Sequence, residues 1–245
     1  MKAMIFAAGL GTRLRPLTDR IPKALIPVGG TPLLDLLIRK MSQEGVADIV
    51  INVHHHADLM KQHIKTLQQG GTPRLWISDE SDQLLDTGGG IKKAASFFEQ
   101  DEAPFLVHNV DILSNVSLKD FYERGRSFDA TLLVSERSTF RYLLFDDSGR
   151  LKGWINEKTG QIKSPYPDLD PATCKKYAFS GIHTFSPKLF PLMAGWPDKF
   201  SIIDFYLSVC DRVHIQGICQ PDLKLMDIGK PETLPLAGDF LKSIM

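Results

Sequence analysis

Hydrophobic positions along this 245-residue chain change period several times, and the changes outline its elements. Lys2 to Ala8 is a continuous apolar run that stops at Gly9 and Gly11, the pattern of a strand buried on both faces that opens into a glycine-rich turn. A stretch punctuated by Pro16, Pro22, Pro27 and Pro32 follows. Leu33, Leu34, Leu36, Leu37, Ile38 and Met41 then recur at roughly helical spacing up to Gly45. Asp48 to Val53 is β-branched and predicts a strand, Ala57 to about Gln69 a polar helix, and Arg74 to Ile77 a short strand. A second glycine cluster, Thr87 to Gly90, precedes a helix-like segment from Ile91 to Phe98. Pro104 to His108 is another apolar strand, running into Asn109, Val110 and Asp111.

Strand and helix therefore alternate through residues 1–115, as in a doubly wound α/β sheet. Beyond them, Ala130 to Ser135, Tyr142 to Phe145, Leu151 to Asn156 and Tyr177 to Phe185 read as strands with fewer helices between. Ile202 to Cys210 reads as a helix, Val213 to Gly217 and Leu223 to Met226 as strands, and Pro231 to Ile244 as a helix that proline begins. The pattern predicts a Rossmann-like mixed sheet in a single domain over residues 1–245, and it contains no internal repeat or low-complexity linker.

Charge narrows the partners. The 29 basic residues balance 29 acidic ones, so no global positive field holds nucleic acid or an anionic membrane, and any phosphate site is local. The apolar run at Ala3 to Ala8 is too short for a signal sequence or a membrane span. Cys174, Cys210 and Cys219 lack zinc spacing and a nucleophile's context, which fits a reduced cytoplasmic protein without structural disulfides.

The first candidate chemistry is Ala7-Ala8-Gly9-Leu10-Gly11-Thr12-Arg13, directly after the first strand, with Lys23 downstream. Glycines let backbone amides approach phosphate oxygens, and a cation offsets the charge that develops on departing pyrophosphate. A simple tight turn is the plainer alternative for the glycine pair. Leu14 stands where a dinucleotide fingerprint needs its third glycine, and no glycine-lysine-serine/threonine run supports a Walker loop. Asp111 and Asp227 each follow a predicted strand, where open α/β sheets bind ligands, and two such carboxylates suit magnesium; the alternative for either is a cap or turn. Asp86-Thr87-Gly88-Gly89-Gly90 offers bare backbone to a nucleobase, or a helix start capped by Asp86 or Thr87. Consecutive His54, His55 and His56 at a strand end point in alternating directions and cannot converge on one ion, which favours a structural role.

The stretches Ala7 to Thr18 and Pro22 to Leu33 resemble, almost residue for residue, the signature loop of the sugar-1-phosphate nucleotidyltransferases. Leu85 to Ile91 is similar to the base-binding segment of N-acetylmuramate-1-phosphate uridylyltransferases and of mannose- or heptose-1-phosphate guanylyltransferases. The resemblance implies the nucleotide-diphospho-sugar transferase fold, with 1–115 as the nucleotide-binding half and 116–245 as the sugar-binding half. It assigns Ala8, Gly9, Gly11, Thr12, Arg13, Thr87, Gly88 and Gly89 to the nucleotide, and catalysis to Arg13, Lys23 and Asp111. Asp111 and Asp227 would hold Mg2+, while Asn109, Glu157, Lys158 and Gly181 would bind the sugar phosphate. The implied partners are a nucleoside triphosphate, UTP or GTP favoured, and a sugar-1-phosphate, handled by a monomer or homodimer. A non-sugar acceptor such as phosphocholine, or a regulatory homologue without turnover, stands as the alternative. One departure concerns Val110, which fills the place of the family's glycine before Asp111.

Overall fold

The computed structural model describes residues 1–70 and 73–244. Its strands are β1 (Lys2–Phe6), β2 (Pro27–Val28), β3 (Thr31–Pro32), β4 (Asp48–Val53), β5 (Arg74–Asp79), β6 (Phe105–Asn109) and β7 (Ile112–Ser114). They continue with β8 (Ala130–Ser135), β9 (Arg141–Phe145), β10 (Leu151–Asn156), β11 (Gln161–Lys163), β12 (Lys175–Phe185), β13 (Ile215–Cys219) and β14 (Leu225–Asp227). The α-helices are α1 (Leu33–Gln43), α2 (Ala57–Gln68), α3 (Asp86–Lys93), α4 (Leu118–Gly125), α5 (Ile202–Val209) and α6 (Leu234–Ile244). The chain divides into two compact units, one formed by Met1–Leu85, Leu106–Asp120 and Leu223–Met245, the other by Asp86–Phe105 and Phe121–Asp222.

In the first unit β1 lies between β4 and β6, parallel to both, and β5 extends the sheet beyond β4. The chain thus winds outward from β1 through β4 to β5 and then returns to the far side of β1. Strand order reverses at β1, and the loops after β1 and β6 flank the switch point where such sheets bind ligands. Every residue of β4 is buried, as expected of a parallel strand covered on both faces. Helix α1 buries Leu33, Leu34, Leu37, Ile38 and Met41, the apolar stripe visible in the sequence. The irregular proline-rich stretch contains a hairpin: Gly29 and Gly30, both at positive φ, turn β2 into β3.

In the second unit the long strand β12 runs antiparallel to β8 and β9, β13 runs parallel to β8, and β10 and β11 continue antiparallel from β9. The core is aromatic. Phe98 stacks on Phe105 with ring centres 3.8 Å apart, and Phe185, Phe205 and Tyr206 are fully buried. Tyr206 places its hydroxyl 2.8 Å from Nδ1 of buried His183.

Four elements depart from the expectation drawn from pattern. The glycine trio belongs to helix α3, which begins at Asp86 rather than Ile91, because Gly88 packs where a side chain would collide with Phe200. Helix α4 and the short strands β7 and β11 went unread; each is eight residues or fewer, too short for a clear period. Among the described residues, no helix is long and apolar enough to cross a membrane.

Candidate active site

The chain leaves β1 at Phe6, whose register partners are Asn52 on β4 and Asn109 on β6. Ala7 and Ala8 then peel from the sheet, because Asn52 Oδ1 accepts both of their amides, at 2.7 and 3.2 Å. Ala8 therefore does not offer its N–H to a ligand. Gly9 has open space where a β-carbon would project. Gly11 is required by conformation: its φ is +63°, and a β-carbon there would lie 2.7 Å from Thr18 Cγ2. Thr18 donates its hydroxyl to the Gly11 carbonyl at 2.9 Å, which closes the loop on itself. Thr12 and Arg13 sit on the single turn Thr12–Leu14 within this loop, both exposed.

The histidine run serves this loop. Rings of His55 and His56 place Nε2 at 2.9 and 3.2 Å from the Thr18 carbonyl, and His54 Nδ1 lies 2.7 Å from the Glu80 carbonyl. A carbonyl only accepts, so each ring nitrogen donates. Among the described residues no group of three or more His, Cys, Asp or Glu side chains converges as a metal cluster.

Four charged side chains meet near the switch point. Lys23 Nζ is ion-paired with Asp111 Oδ2, and both side chains are largely buried. Arg13 Nη2 lies 3.9 Å from Asp227 Oδ2, in a more exposed pair. Asp111 ends the segment after β6 and Asp227 ends β14. The antiparallel ladder of β14 on β7, together with the bond from the Ile228 amide to the Asp111 carbonyl (2.8 Å), holds the two aspartates side by side. Asp227 Oδ1 accepts the Gly229 amide at 2.6 Å. A β-carbon at Gly229 would stand 2.6 Å from Arg13 Nη2, 2.6 Å from Lys23 Nζ and 2.7 Å from Asp227 Oδ1. Two cations and a carboxylate thus converge on one bare backbone position. Val110 is buried and outside the left-handed region, with its amide bonded to the Phe6 carbonyl at 3.1 Å, so its side chain is accommodated without strain. His108, buried on β6, is held neutral: burial lowers its pKa from 6.5 to about 4, against a hydrogen bond to the Asn109 carbonyl that partly offsets it.

The other expected residues lie in the second unit. Gly88 and Gly89 donate their amides to the Phe200 carbonyl, at 2.9 and 3.3 Å, and Thr87 Oγ1 accepts from the Ile202 amide at 2.9 Å. These amides are engaged within the unit, while Thr87 itself stays half-buried. Glu157 and Lys158 follow β10 and are exposed. Glu157 pairs with Lys176 at 3.0 Å, and the Lys158 amide is held by Asn156 Oδ1. Gly181, at φ +75°, occupies the register shift of β12 against β8, so it has a structural reason to be glycine. A cleft of about 430 Å³ borders the end of β10, with Arg141, Trp154, Asn156, Lys163 and Asp204 among its walls. Cys210 is buried, and its thiol is pushed up to about 11 by desolvation, which removes it as a nucleophile.

Sequence reasoning missed Asn52 and Glu80. Both are polar residues that the fold buries, at 3% and 0% exposure, and Asn52 interrupts the apolar run over residues 49–53, the one signal available beforehand.

Comparison with known proteins gives this geometry a family. The description "Nucleotidyl transferase" matches residues 2–243. An N-acetylmuramate alpha-1-phosphate uridylyltransferase of Caulobacter vibrioides is 46% identical over 238 residues, covering 94% of this chain and 92% of the relative. A mannose-1-phosphate guanyltransferase of Aspergillus fumigatus is 37% identical over 138 residues, which cover 56% of this chain and 38% of that protein. The solved inositol-1-phosphate CTP transferase from T. maritima superposes with a TM-score of 0.76 at 17% identity over 99% of this chain and 95% of that one, a likeness of fold. With its glycine loop, paired cations and aspartates at the switch point of an α/β sheet, the chain belongs to the nucleotidyl transferase family and is a nucleotidyltransferase enzyme.

Proposed function

We propose that the protein transfers uridylyl from UTP to N-acetylmuramate α-1-phosphate, releasing pyrophosphate. The observation that carries the transfer chemistry is the convergence of Arg13, Lys23 and Asp227 on Gly229, beside Asp111. The substrate pair follows the 46% identical relative, which this chain matches over nearly its full length. A phosphate monoester is already ionised at neutral pH, so no protein nucleophile is required. Its oxygen forms a bond to the α-phosphorus, and the bond to the bridging oxygen breaks with its electron pair leaving on pyrophosphate.

What remains for the chain is to bring two anions together and neutralise the charge that grows on the leaving group. Arg13 and Lys23 supply that charge, and Gly9, Gly11 and Thr12 shape the loop around the triphosphate. Half-buried Thr87 meets the base, while buried Gly88 and Gly89, their amides on the Phe200 carbonyl, hold the start of α3 in place. Asn109, Glu157, Lys158 and Gly181 take the sugar phosphate.

Nucleotidyltransferases generally use a divalent metal, and we assign magnesium to Asp111 and Asp227. The donor set fits. Magnesium prefers hard oxygens, takes one or two carboxylates and leaves the rest of its octahedron to water and phosphate, and the two side-by-side aspartates supply no more than that. When bound it would neutralise phosphate oxygens. The muramate assignment draws further support from the cleft beside β10: its sugar carries a carboxylate, and with Lys163 paired to Asp204 at 2.7 Å, Arg141 is the cation on those walls left to meet it. A donor triphosphate of the nucleotide pool places the reaction in the cytoplasm. Pyrophosphate release with five nucleoside triphosphates against a panel of sugar-1-phosphates tests the reading; turnover confined to another pair would overturn the substrates.

A further inference from the structure

Asn52 and Glu80 form a buried polar couple that the proposed chemistry does not use. Asn52 lies within β4, where its neighbours are apolar and its own side chain is 3% exposed. A carboxamide in that position persists only if its hydrogen bonds are made. They are. Oδ1 takes the amides of Ala7 and Ala8, and Nδ2 donates to Glu80 Oε1 at 2.7 Å.

Glu80 is fully buried, and its other oxygen accepts the Leu85 amide at 3.3 Å. Its backbone is fixed as well: its amide donates to the Val53 carbonyl at 2.8 Å, and its carbonyl receives Gln83 and His54. One hydrogen-bonded chain therefore runs from the end of β1, where the glycine loop begins, to Leu85, the residue before Asp86 and Thr87.

We infer that Asn52 and Glu80 are a positioning pair for the nucleotide, aiming the glycine loop that follows β1. The inference rests on the reading of that loop as the triphosphate site. Without the carboxamide, Ala7 and Ala8 would lose the acceptor that turns them out of the sheet, and Arg13, a few residues on, would move with them. A small misplacement of a charged group at a reacting centre costs far more in turnover or affinity than in folding.

The couple has a polarity, which makes it testable. Asn52→Asp removes the Nδ2 donor and sets a second carboxylate against Glu80. Glu80→Gln leaves one of its two acceptor positions filled by an amide. The double variant N52D/E80Q restores each of these bonds: the new aspartate accepts from Ala7, Ala8 and the glutamine amide, while the glutamine oxygen accepts from Leu85. Total charge is unchanged from the wild type.

The experiment measures KM for UTP, KM for the sugar-1-phosphate, and melting temperature in all four proteins. Each single variant is expected to raise KM for UTP by about 10-fold or more while KM for the sugar phosphate stays within about twofold. The double variant is expected to return to within about threefold of the wild type, as neighbours in one network should. If the singles only lower the melting temperature and leave KM for UTP in place, the couple is structural and the inference fails. It also fails if the folded double variant is as impaired in UTP binding as Asn52→Asp, or, should that single not fold, as Glu80→Gln. Wild-type turnover with all five triphosphates separates the two readings. If the wild type uses another triphosphate, the uridine assignment falls, and the same comparison of KM values is made with that nucleotide.

Discussion

Gly229→Ala should separate activity from folding. Ordinary contact begins at 3.4 Å, and the added methyl would sit 2.6 Å from both Arg13 Nη2 and Lys23 Nζ, so each cation must retreat by about 0.8 Å. The backbone itself is unaffected, since Gly229 does not occupy a positive φ. Arg13 is more than half exposed and can swing away, whereas Lys23 is confined by burial and by its pair with Asp111. The strain therefore falls on the Lys23–Asp111 pair. Displacing a charge-stabilising group by that much costs about 100-fold in kcat, equivalent to about 2.7 kcal/mol of transition-state stabilisation. Because the groups that must move are the far ends of flexible side chains, the fold should lose less than about 1 kcal/mol, a shift of roughly 3 °C or less. Steady-state pyrophosphate release, with both substrates varied, and a thermal melt measure the two quantities. A kcat within about threefold of the wild type, in protein that melts normally, would show that these cations do not meet the reacting phosphates.

Asp111→Asn should lower kcat by at least about 100-fold across a magnesium titration while sugar-phosphate binding persists, and near-normal turnover would remove Asp111 from the metal site. His108 gives a pH dependence. Its folded pKa of about 4 lies below the ordinary 6.5, so the unfolded chain takes up the proton first as pH falls. Its contribution, about 3 kcal/mol, is complete above 6.5 and is lost between 6.5 and 4. Urea melts from pH 8 to 5 should show His108→Asn flattening that slope, and parallel curves would contradict the assignment. Gly88→Ala should destabilise by about 2–3 kcal/mol, because its methyl would lie 2.3 and 2.4 Å from two carbons of the Phe200 ring and 3.0 Å from its carbonyl oxygen; an unchanged melting temperature would refute that packing. Arg141→Ala should raise KM for N-acetylmuramate 1-phosphate about 10-fold with little change for a neutral sugar phosphate, and equal effects on both would remove Arg141 from recognition of the acid.

The turn of the glycine loop was legible because its requirements are local: Gly11 needs a conformation, and Arg13 follows within the same loop. Lys23 lies on a separate turn and meets Asp111 only through the fold. Strand β1 announced itself as a continuous apolar run, and β4 by its β-branched residues. What escaped was non-local. Nothing near Gly88 in the chain reveals Phe200, which packs a glycine cluster read either as bare backbone or as a helix start into the first turn of α3. Likewise, Asn52 and Glu80 acquire meaning only when β1, β4 and the segment after β5 meet. The histidine run was read as structural or surface from strand alternation, but it lies beyond β4, and consecutive His55 and His56 converge on the one Thr18 carbonyl, a structural role reached by a different geometry.

The measurement that tests the account most directly is pyrophosphate release from UTP and N-acetylmuramate α-1-phosphate with magnesium, alongside GTP, CTP, ATP and dTTP and the mannose, heptose and glucose 1-phosphates. The account predicts magnesium-dependent turnover with the first pair, yielding one pyrophosphate per UDP-N-acetylmuramate formed. Turnover of another pair would contradict the substrates, and no pyrophosphate from any pair, in protein that still binds nucleotide, would contradict the transfer of nucleotide to a sugar phosphate itself.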